Sequence, residues 1–225
     1  MIIAIDGPAG AGKGTVTSHL AKDLNLINID TGVTYRCVAL ETLRNGIELE
    51  NKKEIIEISD KIKIEINNEN KVFLNGKDVT KEIRSKEVNE IVSQISSIKE
   101  VRINMVNVQR NLANGKNVIM EGRDITTYVF PNADVKIYLD GELEERIKRR
   151  YLENKEKNIN MTYDEVKENI IKRDTNDKNK EIGSLKIAQD AIVVDSTNLS
   201  IQETVQKIKE IILKKIGKDF INGNS

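Results

Sequence analysis

Gly7-Pro8-Ala9-Gly10-Ala11-Gly12-Lys13-Gly14-Thr15 follows directly on Met1-Ile2-Ile3-Ala4-Ile5-Asp6. An apolar run of the length of a buried strand meets a glycine-rich loop. A helical pattern with Val16, Leu20 and Leu24 on one face starts at once behind it. This strand–loop–helix order is the setting in which a Gly-x4-Gly-Lys loop cradles phosphate. Gly7, Gly10 and Gly12 let backbone N–H groups crowd round an anion with no Cβ in the way. The helix N-terminus adds partial positive charge, and Lys13 can reach the outer phosphates of a nucleoside triphosphate such as ATP.

The general motif places Ser or Thr straight after the lysine, where its hydroxyl meets Mg²⁺. This chain has Gly14 there and Thr15 next. Thr15 is therefore the candidate protein ligand for Mg²⁺, with phosphates and waters carrying most of the coordination. The Gly-Lys-Gly-Thr ending resembles nucleoside monophosphate kinases more than GTPases or motor ATPases.

A chain of 225 residues can hold one α/β domain with a sizeable core and small insertions. Lys and Arg number 36, Asp and Glu also 36, so no global basic field argues for a nucleic acid polymer as partner. Aromatic residues are 4% and Trp is absent, which leaves Ile, Leu and Val to build the core. No apolar run approaches the roughly 18 residues of a membrane span, and the N-terminal run is too short for a signal peptide. The single cysteine, Cys37, excludes an intramolecular disulfide, and a reducing cytoplasmic location and a monomer are expected.

Short apolar runs alternate with helical patterns. Strands are expected at Met1–Asp6, Leu26–Asp30, Asn117–Glu121, Val135–Leu139 and Ala191–Val194. Helices are expected over Lys13–Leu24 and Thr34–Asn45 and near 99–114, 142–156, 163–175 and 200–215. That alternation implies a five-stranded parallel sheet covered on both faces, a three-layer α/β fold with right-handed crossovers. Two segments break the rhythm. Ile62, Ile64 and Ile66, then Val72 and Leu74, alternate about the polar Asn67-Asn68-Glu69-Asn70, which predicts an antiparallel hairpin in an inserted subdomain at about 59–95. The stretch at about 149–185 is dense in charge and poor in core residues, the composition of a mobile lid. The core then comprises about 1–58, 96–148 and 186–216, and residues 217–225 are expected to fray.

In a doubly wound sheet, ligands bind outside the carboxyl ends of the strands. Strand two ends in Asp30-Thr31-Gly32-Val33-Thr34-Tyr35-Arg36 and strand three in Glu121-Gly122-Arg123-Asp124. Each delivers an arginine, whose planar fork suits phosphate oxygens, to the rim that carries the phosphate loop. Asp30 and Asp124 stand at the same rim, where they can meet Mg²⁺ waters or a base amino group. Ser93 and Arg102 lie on helical segments, and pattern alone does not single them out. His19 lacks partners for a metal site or a triad, and Cys37 reads as a small packing residue.

Gly7–Thr15, Asp30-Thr-Gly-x-x-Tyr-Arg36, Glu121-Gly-Arg-Asp124 with Val129-Phe-Pro131, and Asp195-Ser-Thr-Asn-Leu-Ser200, in that order, resemble the bacterial cytidylate kinases over about residues 2–215. The hairpin segment, with Val72–Val79 and Glu82-Ile-Arg84, resembles the enlarged monophosphate-binding insert of those enzymes. The resemblance implies transfer of the γ-phosphoryl group of ATP to CMP or dCMP with Mg²⁺. It implies that Arg36 and Arg123 grip the CMP phosphate with Thr31 and Tyr35 nearby. Ser93, Arg102 and Asp124 would read the cytosine edge, and Arg173 and Asp177 would contact the ribose and phosphates. A carboxylate, an arginine and a hydroxyl complement the amino donor and two acceptors of cytosine.

The chain departs from the family pattern after Arg173, where Lys178 and Lys180 stand at positions commonly arginine; a lysine keeps the charge and loses the bidentate geometry. Arg146, Arg149 and Arg150 share one helical face. They read either as a solvated basic face or, with the resemblance, as Arg146 stacking on the donor base and Arg150 bonding the migrating phosphate. Rival readings are a P-loop kinase for UMP, AMP or shikimate, or a GTP-binding switch. The switch needs Asn-Lys-x-Asp, and Asn51-Lys-Lys-Glu54 and Asn154-Lys-Glu-Lys157 both lack the aspartate.

Overall fold

The five apolar runs form one parallel sheet, and the glycine-rich loop leaves its central strand. The structure, a computed structural model, describes residues 1–67, 69–156 and 159–217. In chain order the elements are β1 (Ile2–Asp6), α1 (Lys13–Asp23), β2 (Ile27–Asp30), α2 (Gly32–Arg44), α3 (Lys52–Lys61), β3 (Ile64–Ile66), β4 (Val72–Leu74), β5 (Lys77–Asp78), a 3-10 turn (Glu82–Arg84), α4 (Lys86–Ile95), α5 (Lys99–Ala113), β6 (Val118–Gly122), a π-helical turn (Ile125–Val129), β7 (Val135–Asp140), α6 (Leu143–Glu156), α7 (Tyr163–Lys178), β8 (Ile192–Asp195) and α8 (Ile201–Ile216).

The large sheet runs β2-β6-β1-β7-β8, all parallel. Ile3 pairs with Ile119 on one side and Val135 on the other, so β1 is covered along both edges. Its side chains alternate between faces. Ile3 and Ile5 pack with Val16 and Leu20 of α1 and Ile208 and Ile212 of α8. Ala4 faces the other way, into the layer of Val106 and Ala113 from α5, Met120 and Ile125. Chain order reverses across β1, with β2 lying beyond β6 on one side and β7 and β8 on the other. This is the switch point at which α/β sheets open a crevice for ligands.

The expected hairpin is present with one strand more: β3, β4 and β5 form an antiparallel sheet with Ile64 opposite Leu74. Asn68, inside its turn, lies outside the described residues, as does the expected fraying tail beyond Gly217. This small sheet shares a core with α2, α3, the 3-10 turn, α4 and α5 through Val38, Ile55, Ile83, Val88 and Met105. Helix α3 had no counterpart in the pattern reading, because its residues are largely charged and only Ile55 and Ser59 are buried. The π-helical turn, Ile-Thr-Thr-Tyr-Val, follows directly on Asp124. Its backbone closes by Val129 N–H to Asp124 O (3.1 Å) and Phe130 N–H to Ile125 O (2.8 Å).

The charged stretch near 149–185 carries more core than its composition suggests. Val166 and Ile170 of α7 pack on Ile147 of α6 and on Ala9 of the glycine-rich loop. A capping box, Thr162 with Glu165, starts α7, and Ser200 with Glu203 starts α8. Among the described residues no helix is long and apolar enough to cross a membrane.

Candidate active site

The loop after β1 wraps the N-terminus of α1. Gly10 and Gly12 hold φ of +77° and +85°, a region that L side chains rarely adopt. A Cβ on Gly10 would lie 2.8 Å from the Arg146 carbonyl oxygen, so α6 packs against the loop backbone itself. Lys13 folds back across the loop and donates from Nζ to the carbonyls of Gly7 (2.7 Å) and Pro8 (2.8 Å). Burial pushes its ammonium well below the usual lysine range, and the Arg123 charge adds to this. Burial likewise pushes the Glu121 carboxyl up, with the Asp30 charge reinforcing it. A Cβ on Gly14 would sit 2.8 Å from Glu121 Oε1, so a side chain there would have to displace this carboxylate. Thr15 is exposed on the first turn of α1. Among the described residues no group of three His, Cys, Asp or Glu side chains stands together as a metal cluster.

Ala9 is clamped from two helices. Its N–H donates to Asp174 Oδ1 of α7 (2.9 Å), and its carbonyl accepts from Arg146 Nη1 of α6 (2.7 Å). Arg146 Nη1 also pairs with Asp174 Oδ2, and its Nε donates to Gly141 O (2.9 Å). These bonds lie in the guanidinium plane, so the flat face is what Arg146 can offer a donor base. Arg149 ties α6 to the loop after β8 through Ser196 Oγ (3.0 Å). Half-buried Arg150 pairs with Glu153 (3.0 Å). The three arginines therefore do not form a solvated face.

Across the rim, Thr31 Oγ1 donates to Glu121 O (2.7 Å), joining the ends of β2 and β6. Arg123 donates from Nε to Asp177 Oδ2 (2.8 Å), and Lys180 Nζ donates to the other oxygen of the same carboxylate (2.7 Å). Burial pushes Asp177 up, but Arg123, Lys180 and Arg173 outweigh it and hold the carboxyl at about 2. Arg36 feels the charges of Arg123 and Arg150, and Arg173 those of Arg123, Arg150 and Arg36. Burial and these neighbours bring Arg173 down to about 10, and burial also lowers Arg36, with the arginines adding to it.

Behind this cationic rim lies a buried pair. Arg102 Nη2 of α5 donates to Asp124 Oδ2, and Nη1 to Ser96 O (3.0 Å), while the guanidinium carbon sits 5.3 Å from the centre of the Tyr35 ring. Arg102 Nε is buried with no hydrogen-bond partner among the described residues, a polar atom left for something else to satisfy. Gly183, at φ +63°, approaches so closely that a Cβ would fall 2.0 Å from Asp124 Oδ2. Ser93 on α4 accepts from Asn176 Nδ2 of α7 (3.2 Å).

The cytidylate kinase family pattern matches residues 3–214. The chain belongs to the cytidylate kinase family. The cytidylate kinase of Caldicellulosiruptor bescii is 48% identical over 217 residues, covering 95% of this chain and 96% of that one. That of Caldicellulosiruptor saccharolyticus is 47% identical over 220 residues, covering 96% and 97%. Among solved structures, shikimate kinase from Acinetobacter baumannii in complex with shikimate is 16% identical with a TM-score of 0.48, covering 96% of this chain and 95% of that one, a likeness too remote to bear on the acceptor.

Several residues at this cytidylate kinase site escaped the pattern reading. Asp6, buried at the end of β1, accepts from Ile125 N–H (2.9 Å), Thr126 N–H (2.7 Å) and Thr126 Oγ1 (2.6 Å), and so fixes the turn that follows Asp124. A carboxylate closing an apolar strand was the signal for it. Asp174, Asn176 and Gly183 carried none, because their partners lie far away in sequence. His19 is exposed, and Cys37 is buried with its thiol pushed up to about 12 by burial.

Proposed function

We propose that this chain transfers the γ-phosphoryl group of ATP to CMP or dCMP, giving ADP and CDP or dCDP. Membership of the cytidylate kinase family supports this. The observation that carries the reading is one rim with two anion sites, the glycine-rich loop with Lys13 and the arginine cluster, backed by the buried Arg102–Asp124 pair.

The acceptor oxygen belongs to a phosphate and is already anionic, so no general base is needed and catalysis is positioning plus charge neutralisation. The loop N–H groups and Lys13 hold the donor phosphates. An arriving triphosphate favours the Lys13 ammonium, offsetting the burial that depresses it. Arg36 and Arg123 hold the acceptor phosphate, with Arg150 and Arg173 sharing the charge on the transferred group. Asp124 and Arg102 read the cytosine amino group and ring acceptors, assisted by Ser93, while Asp177 faces the ribose. Mg²⁺ would arrive on the phosphates, with Thr15 as its protein ligand. Mg²⁺ so held supplies further neutralisation of phosphate charge.

Residues about 59–95 act as the monophosphate-binding insert and about 149–185 as a lid on the core, excluding water during transfer. The enzyme works as a cytoplasmic monomer, with nucleotides rather than nucleic acid or membrane as partners. Initial rates of ADP release with CMP, dCMP, UMP, AMP and shikimate at fixed Mg-ATP test the reading. CMP or dCMP should lead in kcat/KM by at least tenfold; a lead for any other acceptor refutes it.

A further inference from the structure

Arg36 sits on α2, in the core, yet its guanidinium is held by the inserted segment. Nη1 donates to Asn89 Oδ1 of α4 (2.6 Å) and to the carbonyl of Ile83 in the 3-10 turn (3.3 Å). Asn89 is itself fixed. Its Nδ2 donates to Arg84 O (3.0 Å) and Ser85 O (2.7 Å), so the amide nitrogen faces two carbonyls and the amide oxygen must face the arginine. Asn89 is exposed and contributes nothing to the apolar core. Among the described residues no protein group bonds Nε or Nη2 of Arg36, which leaves the bidentate edge of its fork for a phosphate.

We infer that Asn89 is a positioning residue for Arg36, orienting the acceptor-phosphate arginine before the nucleotide arrives and tying it to the insert. The inference rests on the reading of Arg36 as a phosphate ligand. An arginine side chain is costly to order. Holding one nitrogen beforehand removes part of that cost from the binding step. The anchor is neutral, so it orients Arg36 without cancelling the charge that a phosphate must meet. The contact also makes the position of Arg36 depend on that of the insert, so movement of the insert is felt at the acceptor phosphate and not at the donor loop.

The test is steady-state kinetics and calorimetric CMP binding for Asn89→Ala, Arg36→Ala and the double variant, with thermal unfolding alongside. For Asn89→Ala the KM and Kd for CMP should rise about tenfold, the scale of one hydrogen bond to a charged group. KM for ATP and the unfolding midpoint should stay at their wild-type values. Adding Asn89→Ala to Arg36→Ala should change nothing more. An unchanged CMP affinity in Asn89→Ala, while Arg36→Ala weakens it strongly, overturns the inference and leaves the phosphate role of Arg36 standing. Equal effects on CMP and ATP, or a further loss in the double variant, overturn it too. If Arg36→Ala itself leaves CMP affinity intact, the reading of Arg36 fails and the inference with it.

Discussion

Replacing Arg102 with Met removes the cation from a pair whose side chains are 3% and 6% exposed, and keeps similar apolar volume. Asp124 then holds a carboxylate in a buried place with no counter-charge of comparable closeness. Breaking a buried pair from one side costs about 3–5 kcal/mol, a large share of the roughly 5–15 kcal/mol that holds an average domain together. Burial already pushes the Asp124 carboxyl above its ordinary range, with Arg102 opposing it. Without Arg102 the rise is larger. A carboxyl raised in the folded state adds stability below its unfolded pKa and loses it as pH climbs through the folded one. The gap between Arg102→Met and the wild type should therefore be small near pH 5 and open towards pH 8. Adding Asp124→Asn removes the charge and should restore most of the lost stability at pH 8.

Urea unfolding of the three proteins across that range measures this directly. The same variants separate stability from recognition. Both Arg102→Met and the double variant should show a KM for CMP about 10- to 100-fold higher, the scale of one or two lost hydrogen bonds to charged groups. KM for ATP should be little moved. A gap that is flat with pH, or a double variant no more stable than the single one, refutes the buried-charge account. Equal rises in KM for both nucleotides remove Arg102 from the acceptor site.

Lys13→Ala should lower turnover by at least about 100-fold, the scale of losing one preorganised cationic or oxyanion contact, with far-UV dichroism unchanged; near-normal turnover rules out the loop assignment. Asp174→Ala unpairs the buried Arg146 and frees the Ala9 N–H, so KM for ATP should rise more than KM for CMP, and the reverse order in a kinetic comparison would count against the clamp. Asp6 is raised to about 6 from the model-peptide 3.8 by burial, against three hydrogen bonds; wild-type stability relative to Asp6→Asn should therefore shrink by about 2 kcal/mol between pH 4 and pH 7, and a constant difference in denaturant titrations would show that Asp6 does not titrate in that window.

The sheet was legible because both faces of its strands are buried, so each strand reads as a short apolar run with no competing pattern. The phosphate loop was legible because its chemistry is local: glycines, lysine and helix start are adjacent in the chain. The acceptor side resisted. Arg102 and Ser93 sit among ordinary helical residues, and what distinguishes Arg102 is Asp124, 22 residues away and on another element. Asn89 and Asp174 act on partners 53 and 165 residues distant. Helix α3 and the π-helical turn were not legible for another reason. Local composition there carries no clear periodic pattern, and packing under the small sheet and the hydrogen bonds of Asp6 decide the local structure.

On the proposed reading, the rim also explains how a chain of zero net charge recognises polyanions. Its positive charge is concentrated rather than abundant. Burial lowers Arg36, Arg173 and Lys13, and neighbouring cations add to it: Arg123 at all three, Arg150 at Arg36 and Arg173. Asp177 offsets part of this by holding Arg123 and Lys180 at once, and at about 2 its carboxyl stays ionised through any working pH. Asp30 faces Arg36, Glu121 faces Lys13 and Arg123, and Glu153 pairs with Arg150, so these carboxylates offset a further part of the positive charge. The residual repulsion is relieved when anions arrive, and it is relieved at both ends of the rim, because Arg123 depresses Lys13 on the loop side and Arg173 on the other. A phosphate bound at either end therefore lowers the electrostatic cost of the neighbouring cations. That arrangement suits two phosphorylated ligands facing each other across Arg123, and a single-nucleotide switch would have no use for its acceptor half.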